Sequence, residues 1–269
     1  MEINNDISYM IGIFQTDGSM SLYERNRGKF QLELSLKDED IIYKLKNIIP
    51  YKSLIKKRKR LTSIKEHKYN NETISLCIYD LKFRNELLNW GIPYGKKSKI
   101  IKPPLYIKNL SIKDYIRGLY DGDGSLGMTS KNIPYVSFTT DSDDIVNFLK
   151  EYISKITNKP LKNIKRNIRD NIYNISITKE DAVKFCNEIY YDGCLSLDRK
   201  YQKSIDVKKW VRPVDMVISN KLSWDDYQDN FILNNNLEKS IEYLNRNENS
   251  IRMRLWRLKK MKAKIYRIS

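Results

Sequence analysis

The sequence is poor in the side chains that build zinc sites and disulfides. Its 269 residues include one histidine, His67, and three cysteines, Cys77, Cys186 and Cys194. No two cysteines form a Cys-x-x-Cys pair. Zinc fingers and zinc deaminases are therefore excluded, because both need clustered Cys and His ligands. A single histidine also argues against a nuclease site built on histidines. Unclustered cysteines without a secretory signal are typical of reduced thiols in a cytosolic protein.

Long apolar runs are also missing. No stretch approaches the roughly 20 apolar residues that a membrane-spanning helix needs. The N-terminus lacks the basic start and the small-residue cleavage site of a signal peptide. We therefore expect a protein that is not secreted, acts in the cytoplasm or an organellar matrix, and has no membrane partner.

Acidic residues are too few to balance the basic ones. The chain has 50 Lys and Arg against 33 Asp and Glu, a formal net charge of +17, while 41% of its residues are hydrophobic. The hydrophobic content allows a packed core. The basic excess predicts a polyanionic partner. With no membrane segment in view, nucleic acid is favoured over an anionic membrane surface.

An approximate internal repeat organises the chain. Residues 7–18 read ISYMIGIFQTDG and residues 113–124 read KDYIRGLYDGDG. Aligned on their final Asp-Gly, the copies lie 106 residues apart, and each has a glycine, Gly12 or Gly118, five residues before the aspartate. Hydrophobic periodicity and turn residues predict the same order of elements after each copy, α-β-β-α-β-β-α.

The predicted fold class is α+β, with two pseudo-symmetric αββαββα halves that carry antiparallel sheets, which we expect to face the nucleic acid, plus a small all-helical domain. The predicted domains are residues 1–102, 103–212 and 213–269. In the second half, Lys162–Arg169 and Tyr173–Thr178 are predicted to form a hairpin. Ser111 and Asp114 predict a capping box that opens the helix of the second copy.

The repeated helices are apolar on most faces, which predicts that both are buried. A glycine inside a helix costs about 1 kcal/mol relative to alanine, so Gly12 and Gly118 predict close contact of the two backbones. That contact would bring Asp17 and Asp123 together. Two carboxylates about 4 Å apart repel by roughly 4 kcal/mol at an effective dielectric of 20, and such a pair suits Mg²⁺ or a similar hard cation. The alternative is that each Asp-Gly merely ends a helix.

The two copies, MIGIFQTDG at 10–18 and IRGLYDGDG at 116–124, resemble the motif of the LAGLIDADG homing endonucleases in their single-chain, two-motif form. The resemblance covers roughly residues 7–205. It includes Gly91-Ile92-Pro93 with Lys97-Ser98, and residues 197–201 near the end of the second half.

The resemblance implies a sequence-specific double-strand DNA endonuclease that acts as a monomer with internal pseudo-twofold symmetry. It implies Mg²⁺-assisted hydrolysis by water at a long asymmetric site, leaving short 3′ overhangs. The metal-binding acids of the family map onto Asp17 and Asp123, next to Gly18 and Gly124. A non-cleaving DNA-binding regulator or an RNA-splicing maturase on the same fold is the alternative function. The start of the chain just before its first predicted helix favours an intron-encoded or free-standing protein.

Some supporting positions stay open. The first copy has Gln15 where the second has Asp121, and we expect this position to support the site rather than to bind metal. The family often places a lysine near the bound solvent in each half. The candidates are Lys65, Lys68, Lys165 and Arg166.

Two basic runs occupy equivalent places in the halves. Residues 52–68 contain eight Lys or Arg and one acid, and residues 155–169 contain six and none. They predict matching phosphate-contacting surfaces, and the alternating side chains Gln31, Glu33 and Ser35 would read base edges. The DNA-binding candidates of the runs are Lys56, Lys57, Arg58, Lys59, Arg60, Lys162, Lys165, Arg166 and Arg169.

The last 25 residues are again basic, with nine Lys or Arg against one acid. Ile251, Leu255 and Leu258 share one helix face, which predicts an amphipathic basic helix within a helix-turn-helix-like extension. Its DNA-binding candidates are Arg252, Arg254 and Arg257. A basic helix that docks on the main domain is the alternative.

Overall fold

The computed structural model has two compact units, Met1–Arg212 and Pro213–Ser269. The residues that it describes are 1–64, 67–160, 164–216 and 224–265. None of the helices in these ranges is long and apolar enough to cross a membrane.

The first half of the larger unit is a four-stranded antiparallel sheet with three α-helices. Its strands run in the order β1-β2-β4-β3. The helices begin at capping residues: the side chain of Asn4 accepts a hydrogen bond from the N–H of Ile7, and that of Asp80 from the N–H of Phe83. The elements are α1 (Asn5–Thr16), β1 (Gly18–Leu22), β2 (Gly28–Ser35), α2 (Glu39–Ile48), β3 (Ser53–Ile64), β4 (His67–Ile78) and α3 (Leu81–Asn89).

The second half has the same order of elements as far as its second helix. Its described residues then have one strand instead of two before the next helix, and a further helix follows. The three described strands are antiparallel and lie side by side in chain order. The predicted mixture of paired helices and antiparallel sheets is therefore confirmed. The elements are α4 (Ile112–Asp123), β5 (Gly124–Met128), β6 (Pro134–Thr140), α5 (Asp143–Thr157), β7 (Tyr173–Thr178), α6 (Glu180–Ile189) and α7 (Asp198–Lys208).

The hairpin predicted over Lys162–Arg169 and Tyr173–Thr178 is wrong in its first strand. Residues 164–169, the described part of that segment, contain no strand and end in a turn. Ile164 packs against the core while Ile168 is fully exposed. Ile164 and Ile168 would share one face of a strand, but only Ile164 reaches the core. Between them, the guanidinium of Arg166 binds Asp141, Asp143 and the carbonyl oxygen of Asn171, so contacts of this arginine take the place of strand pairing.

Helix α4 begins after Ser111 as predicted, but without a capping box. The Ser111 hydroxyl donates to the carboxylate of Asp114, and the Ser111 N–H donates to Oγ of Ser8 at 3.0 Å. Asp114 is buried and forms an ion pair with the buried guanidinium of Arg117. Its carboxylate is thus used by a side-chain cluster instead of the helix terminus.

The smaller unit is helical in the part that the structure describes. Its helices α8 (Asp226–Asn234), α9 (Leu237–Leu244) and α10 (Glu248–Ile265) begin after the capping residues Asp225, Asn236 and Asn247. Trp256 is 55% exposed and lies outside the core of this unit.

Candidate functional site

The site is built on the contact between α1 and α4. A Cβ atom added to Gly12 would lie 2.2 Å from the carbonyl oxygen of Tyr115, and one added to Gly118 would lie 2.1 Å from that of Tyr9. Real Cβ atoms do not approach other atoms so closely. Glycine is therefore what lets the two helix backbones touch, at equivalent positions of the two copies.

Two tyrosines cross this contact in opposite directions. The hydroxyl of Tyr9 donates to Oδ2 of Asp121 at 2.8 Å, and the hydroxyl of Tyr115 donates to Oε1 of Gln15 at 2.6 Å. All four side chains are buried. Gln15 and Asp121 thus brace the helix pair from the inside of the fold.

Asp121 is a buried carboxylate that only accepts hydrogen bonds. Besides Tyr9, the hydroxyl of Tyr190 and the N–H of Leu197 donate to it, each at 2.7 Å. Burial raises the pKa of Asp121, while the nearby Lys200 ammonium opposes that rise. The charge of Asp121 is thus held by three donors and a cation within the fold.

Asp17 and Asp123 stand where the two helices end. Asp17 follows the last residue of α1, and Asp123 is the last residue of α4. A Cβ on Gly122 would lie 2.5 Å from Oδ2 of Asp17, so the carboxylate of Asp17 occupies the space next to the residue that precedes Asp123. Burial and the negative charge of Asp123 raise the pKa of Asp17 to about 6. Burial also raises the pKa of Asp123, against the attraction of Lys97 and Lys200.

Two lysines flank the aspartates. Nζ of Lys97 donates to the carbonyl oxygen of Thr16 at 2.6 Å, at the end of α1. Burial lowers the pKa of Lys97, against the attraction of Asp123 and Asp17. The negative end of a helix favours a cation at this place.

Lys200 lies at the end of α4 and is held far more tightly than Lys97. Its ammonium donates to the carbonyl oxygens of Tyr120, Asp121 and Gly124 at 2.7, 2.7 and 2.8 Å, with a longer contact of 3.3 Å to that of Gly122. Burial lowers its pKa to about 8.

Sequence reasoning missed both lysines. Lys97 and Lys200 are the cations that act on the pKa of Asp123, whereas the candidates proposed from sequence lie elsewhere. Lys65 lies outside the described residues, Lys165 is exposed, and Arg166 is bound to Asp141 and Asp143. A signal was present: Lys97 follows Asp17 by 80 residues and Lys200 follows Asp123 by 77, which is the spacing of a second repeated pair.

A small polar cavity opens beside the aspartates. Its volume is about 240 Å³. It lies between the end of α1, the Lys97 segment and the second sheet. Its lining includes Thr16, Lys97, Asp123, Thr139 and Asp141.

The donor set fits a hard divalent cation. Within the described ranges, no cluster of three or more His, Cys, Asp or Glu side chains is arranged to hold a metal. Two carboxylates are nevertheless what Mg²⁺ commonly takes from a protein, with water and substrate phosphates completing its octahedron. The space that Gly122 leaves for the Asp17 carboxylate supports this use. Of the neighbouring glycines, Gly18 is buried at the start of β1, and the carbonyl oxygen of Gly124 already accepts from Lys200.

The first basic run is divided between the two faces of its sheet. Lys56 and Arg58 pair with Ser75 and Thr73 of β4, on the face that also carries Glu33. Arg60 lies two residues after Arg58 in β3 and is therefore on the same face. Lys57 and Lys59 alternate with them: Lys57 binds Glu39 of α2 at 2.5 Å, and Lys59 binds Glu72 at 2.8 Å. The basic run was predicted as one phosphate-contacting surface, but its residues alternate between the two faces of the sheet.

Several other predicted DNA contacts are engaged within the fold. Arg166 is held by two aspartates as described above, and the guanidinium of Arg169 binds Asp170. Lys162 lies outside the described residues. In α10, Arg252 binds Glu248 and Arg254 binds Asp229, whereas Arg257 is exposed.

The solved structures to which the chain is similar include meganucleases. The chain is similar to I-SmaMI bound to an uncleaved DNA target in the presence of calcium ions, at 15% identity over 77% of this chain and 90% of that one, with a TM-score of 0.48. It is also similar to the LAGLIDADG meganucleases I-AabMI (12% identity, 77% and 89% of the two chains, TM-score 0.44) and I-CpaMI (14%, 77% and 90%, 0.45), both bound to uncleaved DNA. A comparison with curated protein sequences gave no match.

The second copy of the repeat has a direct match to a family. Residues 111–190, which contain Gly118 and Asp123, match the sequence profile of the LAGLIDADG-like domain. The predicted resemblance to this family is therefore confirmed over the second motif.

Proposed function

We propose that the protein is a sequence-specific double-strand DNA endonuclease of the homing type. The observation that carries the proposal is the meeting of Asp17 and Asp123 at the ends of two helices whose backbones touch. Both carboxylates have a raised pKa through burial, and the charge of Asp123 adds to the rise at Asp17. Such a pair is retained where a cation is to be bound. A protein that bound nucleic acid through charge alone would have no use for such a pair.

Asp17 and Asp123 are the proposed ligands of Mg²⁺. When bound, the metal ion would activate water and stabilise the leaving oxygen of a phosphodiester. Lys97 lines the cavity beside Asp123, with its ammonium on the carbonyl oxygen of Thr16, and in this proposal it holds the charge of the scissile phosphate. Lys200 offsets the negative charge of Asp121 and of the carbonyl oxygens at the end of α4.

The proposed substrate is double-stranded DNA with a long, asymmetric target, bound by one copy of the chain. Each sheet has a polar face on the side away from its helices, and the first carries Lys56 and Arg58. The major groove of DNA is wide enough to admit a two-stranded β-ribbon. Short 3′ overhangs are the product that the family resemblance implies. In this proposal the smaller unit extends the DNA contact through α10, where Arg257 is exposed.

Mapping of new DNA ends tests the proposal. The full chain is incubated with a complex DNA pool in Mg²⁺, and all new ends are sequenced. Asp17→Asn and Asp123→Asn should each abolish cutting and leave binding intact, because the amide keeps the shape but loses the charge that a cation needs. Asp206→Asn, at an exposed carboxylate of α7, is the matched control and should cut normally.

The outcomes separate the functions. Ends that recur at one long site with short 3′ overhangs, and that vanish in both aspartate variants, would support the endonuclease. Full cutting by either variant would refute the metal assignment. Site-selective retention of DNA without any cutting would favour a regulator or a maturase, and RNA would then be the next pool.

A further inference from the structure

The two sheets can be compared residue by residue. Gly18 pairs with Leu32 in the first sheet, and Gly124 pairs with Phe138 in the second. Both members of the second pair lie 106 residues after those of the first, so this offset of the motif extends through β2 and β6. The equivalent outward positions are Lys29 and Tyr135, Gln31 and Ser137, Glu33 and Thr139, and, on the neighbouring strand, Ser75 and Asn174.

The first sheet carries a hydrogen-bonded polar cluster at these positions. Nε2 of Gln31 donates to Oε2 of Glu33 at 2.6 Å, and Oγ of Ser75 donates to the same oxygen at 3.2 Å. Nζ of Lys29 donates to Oε1 of Gln31 at 2.7 Å. The cluster is therefore ordered by its own bonds and fixes the direction in which the Glu33 carboxylate points.

The negative charge of Glu33 would weaken a surface whose only role was to attract the negative phosphates of DNA. Glu33 is the one acidic residue among the outward positions that the described strands β1 to β4 present on this face, beside Lys56 and Arg58. A carboxylate next to phosphates costs binding energy unless it accepts a hydrogen bond from the DNA. The contacts of the described residues engage Oε2 of Glu33 and leave Oε1 as an acceptor.

Few groups of DNA can satisfy such an acceptor. In the major groove only the exocyclic amines of cytosine and adenine donate. Adenine presents its amine beside the N7 acceptor, which repels a carboxylate, whereas the cytosine base presents its amine without an adjacent acceptor of its own. Glu33 therefore matches cytosine.

The second sheet has nothing comparable at the equivalent positions. Oγ of Ser137 donates to Oδ1 of Asn174 at 3.2 Å, and Thr139 stands where the first sheet has Glu33. Hydroxyl groups both donate and accept, so they accommodate several bases.

We infer that the two half-sites are read unequally, with Glu33 imposing a cytosine at one position of the first half-site while Thr139 leaves the equivalent position of the second half-site degenerate. The inference rests on the proposed function, because it needs DNA to lie across both sheets. It adds to that function a residue that determines specificity and the base it selects.

Selection from random DNA tests the inference. The full chain, Glu33→Gln and Ser137→Ala are each equilibrated with a randomised duplex pool in Ca²⁺ instead of Mg²⁺, and the retained DNA is sequenced. The unmodified chain should enrich an asymmetric sequence with a fixed cytosine in one half. Glu33→Gln should lower the preference for that cytosine about tenfold, as expected for one good base contact, and leave the other positions unchanged.

Ser137→Ala is the matched control on the second sheet, since it removes a hydroxyl group from the same face without changing the charge and lies outside the cavity beside Asp123. It should alter no preference by more than about threefold. An enriched sequence that keeps its cytosine in Glu33→Gln, or an equal change in Ser137→Ala, would overturn the inference and leave the proposed function standing. Failure of the unmodified chain to enrich any sequence would contradict the proposed function, and the inference with it.

Discussion

The two halves of the repeat are alike where they touch and unlike where they spread outward. At the contact, the glycine of each helix lies against the backbone of the other helix. A tyrosine of each helix donates a hydrogen bond to the other helix, Tyr9 to Asp121 and Tyr115 to Gln15. On the sheets, a charged cluster around Glu33 in one half is matched by hydroxyl groups in the other. Steric fit fixes the contact, because both helices are constrained at once. The outer surfaces meet different partners and are free to diverge.

A methyl group at the helix contact should produce the largest effect on folding. Gly12→Ala and Gly118→Ala each force the backbones apart, so each should lower the free energy of unfolding by about 3 kcal/mol or more. This loss exceeds the gain of about 1 kcal/mol in helix propensity. Urea unfolding measures it.

Gly95→Ala is the control for this pair, because nothing lies within 4 Å of its added Cβ. Its positive φ should cost only about 1 kcal/mol. If Gly12→Ala were no more destabilising than Gly95→Ala, the close contact of the helices would be refuted.

The two lysines should separate activity from stability. Lys200→Met strips several buried carbonyl oxygens of their donor and should cost about 2–4 kcal/mol of unfolding free energy. Lys97→Met removes one hydrogen bond and should cost about 1 kcal/mol or less, yet it should slow DNA cleavage at least about tenfold. Thermal unfolding and a single-turnover cleavage assay, run on both variants, measure the difference. Equal losses of stability would show that the tighter bonding of Lys200 has no energetic consequence.

Removal of the buried charge of Asp17 should make the protein more stable. The pKa of Asp17 is about 6 in the folded chain, above its ordinary value of 3.8, so its ionisation opposes folding. This penalty is complete above pH 6 and disappears as the pH falls toward 4. Asp17→Asn should therefore raise the free energy of unfolding by about 1–3 kcal/mol at pH 7 without metal, and by much less at pH 4. A stabilisation that is the same at both pH values would contradict this assignment.

The smallest effect concerns the divided basic run. Lys56→Ala should lower the slope of log K against log salt by about 0.9, as for one lost phosphate contact. Lys57→Ala, on the other face of the same strand, should leave that slope unchanged. Arg257→Ala should lower it by a similar amount if α10 contacts DNA. Binding titrations at several salt concentrations measure all three, and equal slopes for Lys56→Ala and Lys57→Ala would refute the two-face arrangement.

The sequence predicts the centre of this molecule better than its edges. Gly12, Gly118 and the two aspartates could be predicted from the sequence because the same residues occur at equivalent positions in both copies of the motif. Lys97 and Lys200 reach the site through long-range packing, which local patterns do not record. The strand predicted at Lys162–Arg169 failed because Arg166 pairs with Asp141 and Asp143, more than 20 residues earlier, and the local pattern does not record such contacts.

The helix contact also has a consequence for how the chain is made. Residues 7–15 of α1 are all buried, and much of that burial comes from α4, which begins at residue 112. Because α4 follows α1 by about 100 residues, the face of α1 that contacts α4 stays uncovered until those residues have left the ribosome. At about 5–20 residues per second, that is a delay of roughly 5–20 seconds. During synthesis the first half is an incomplete domain, exposed to aggregation and to chaperones until the second motif emerges.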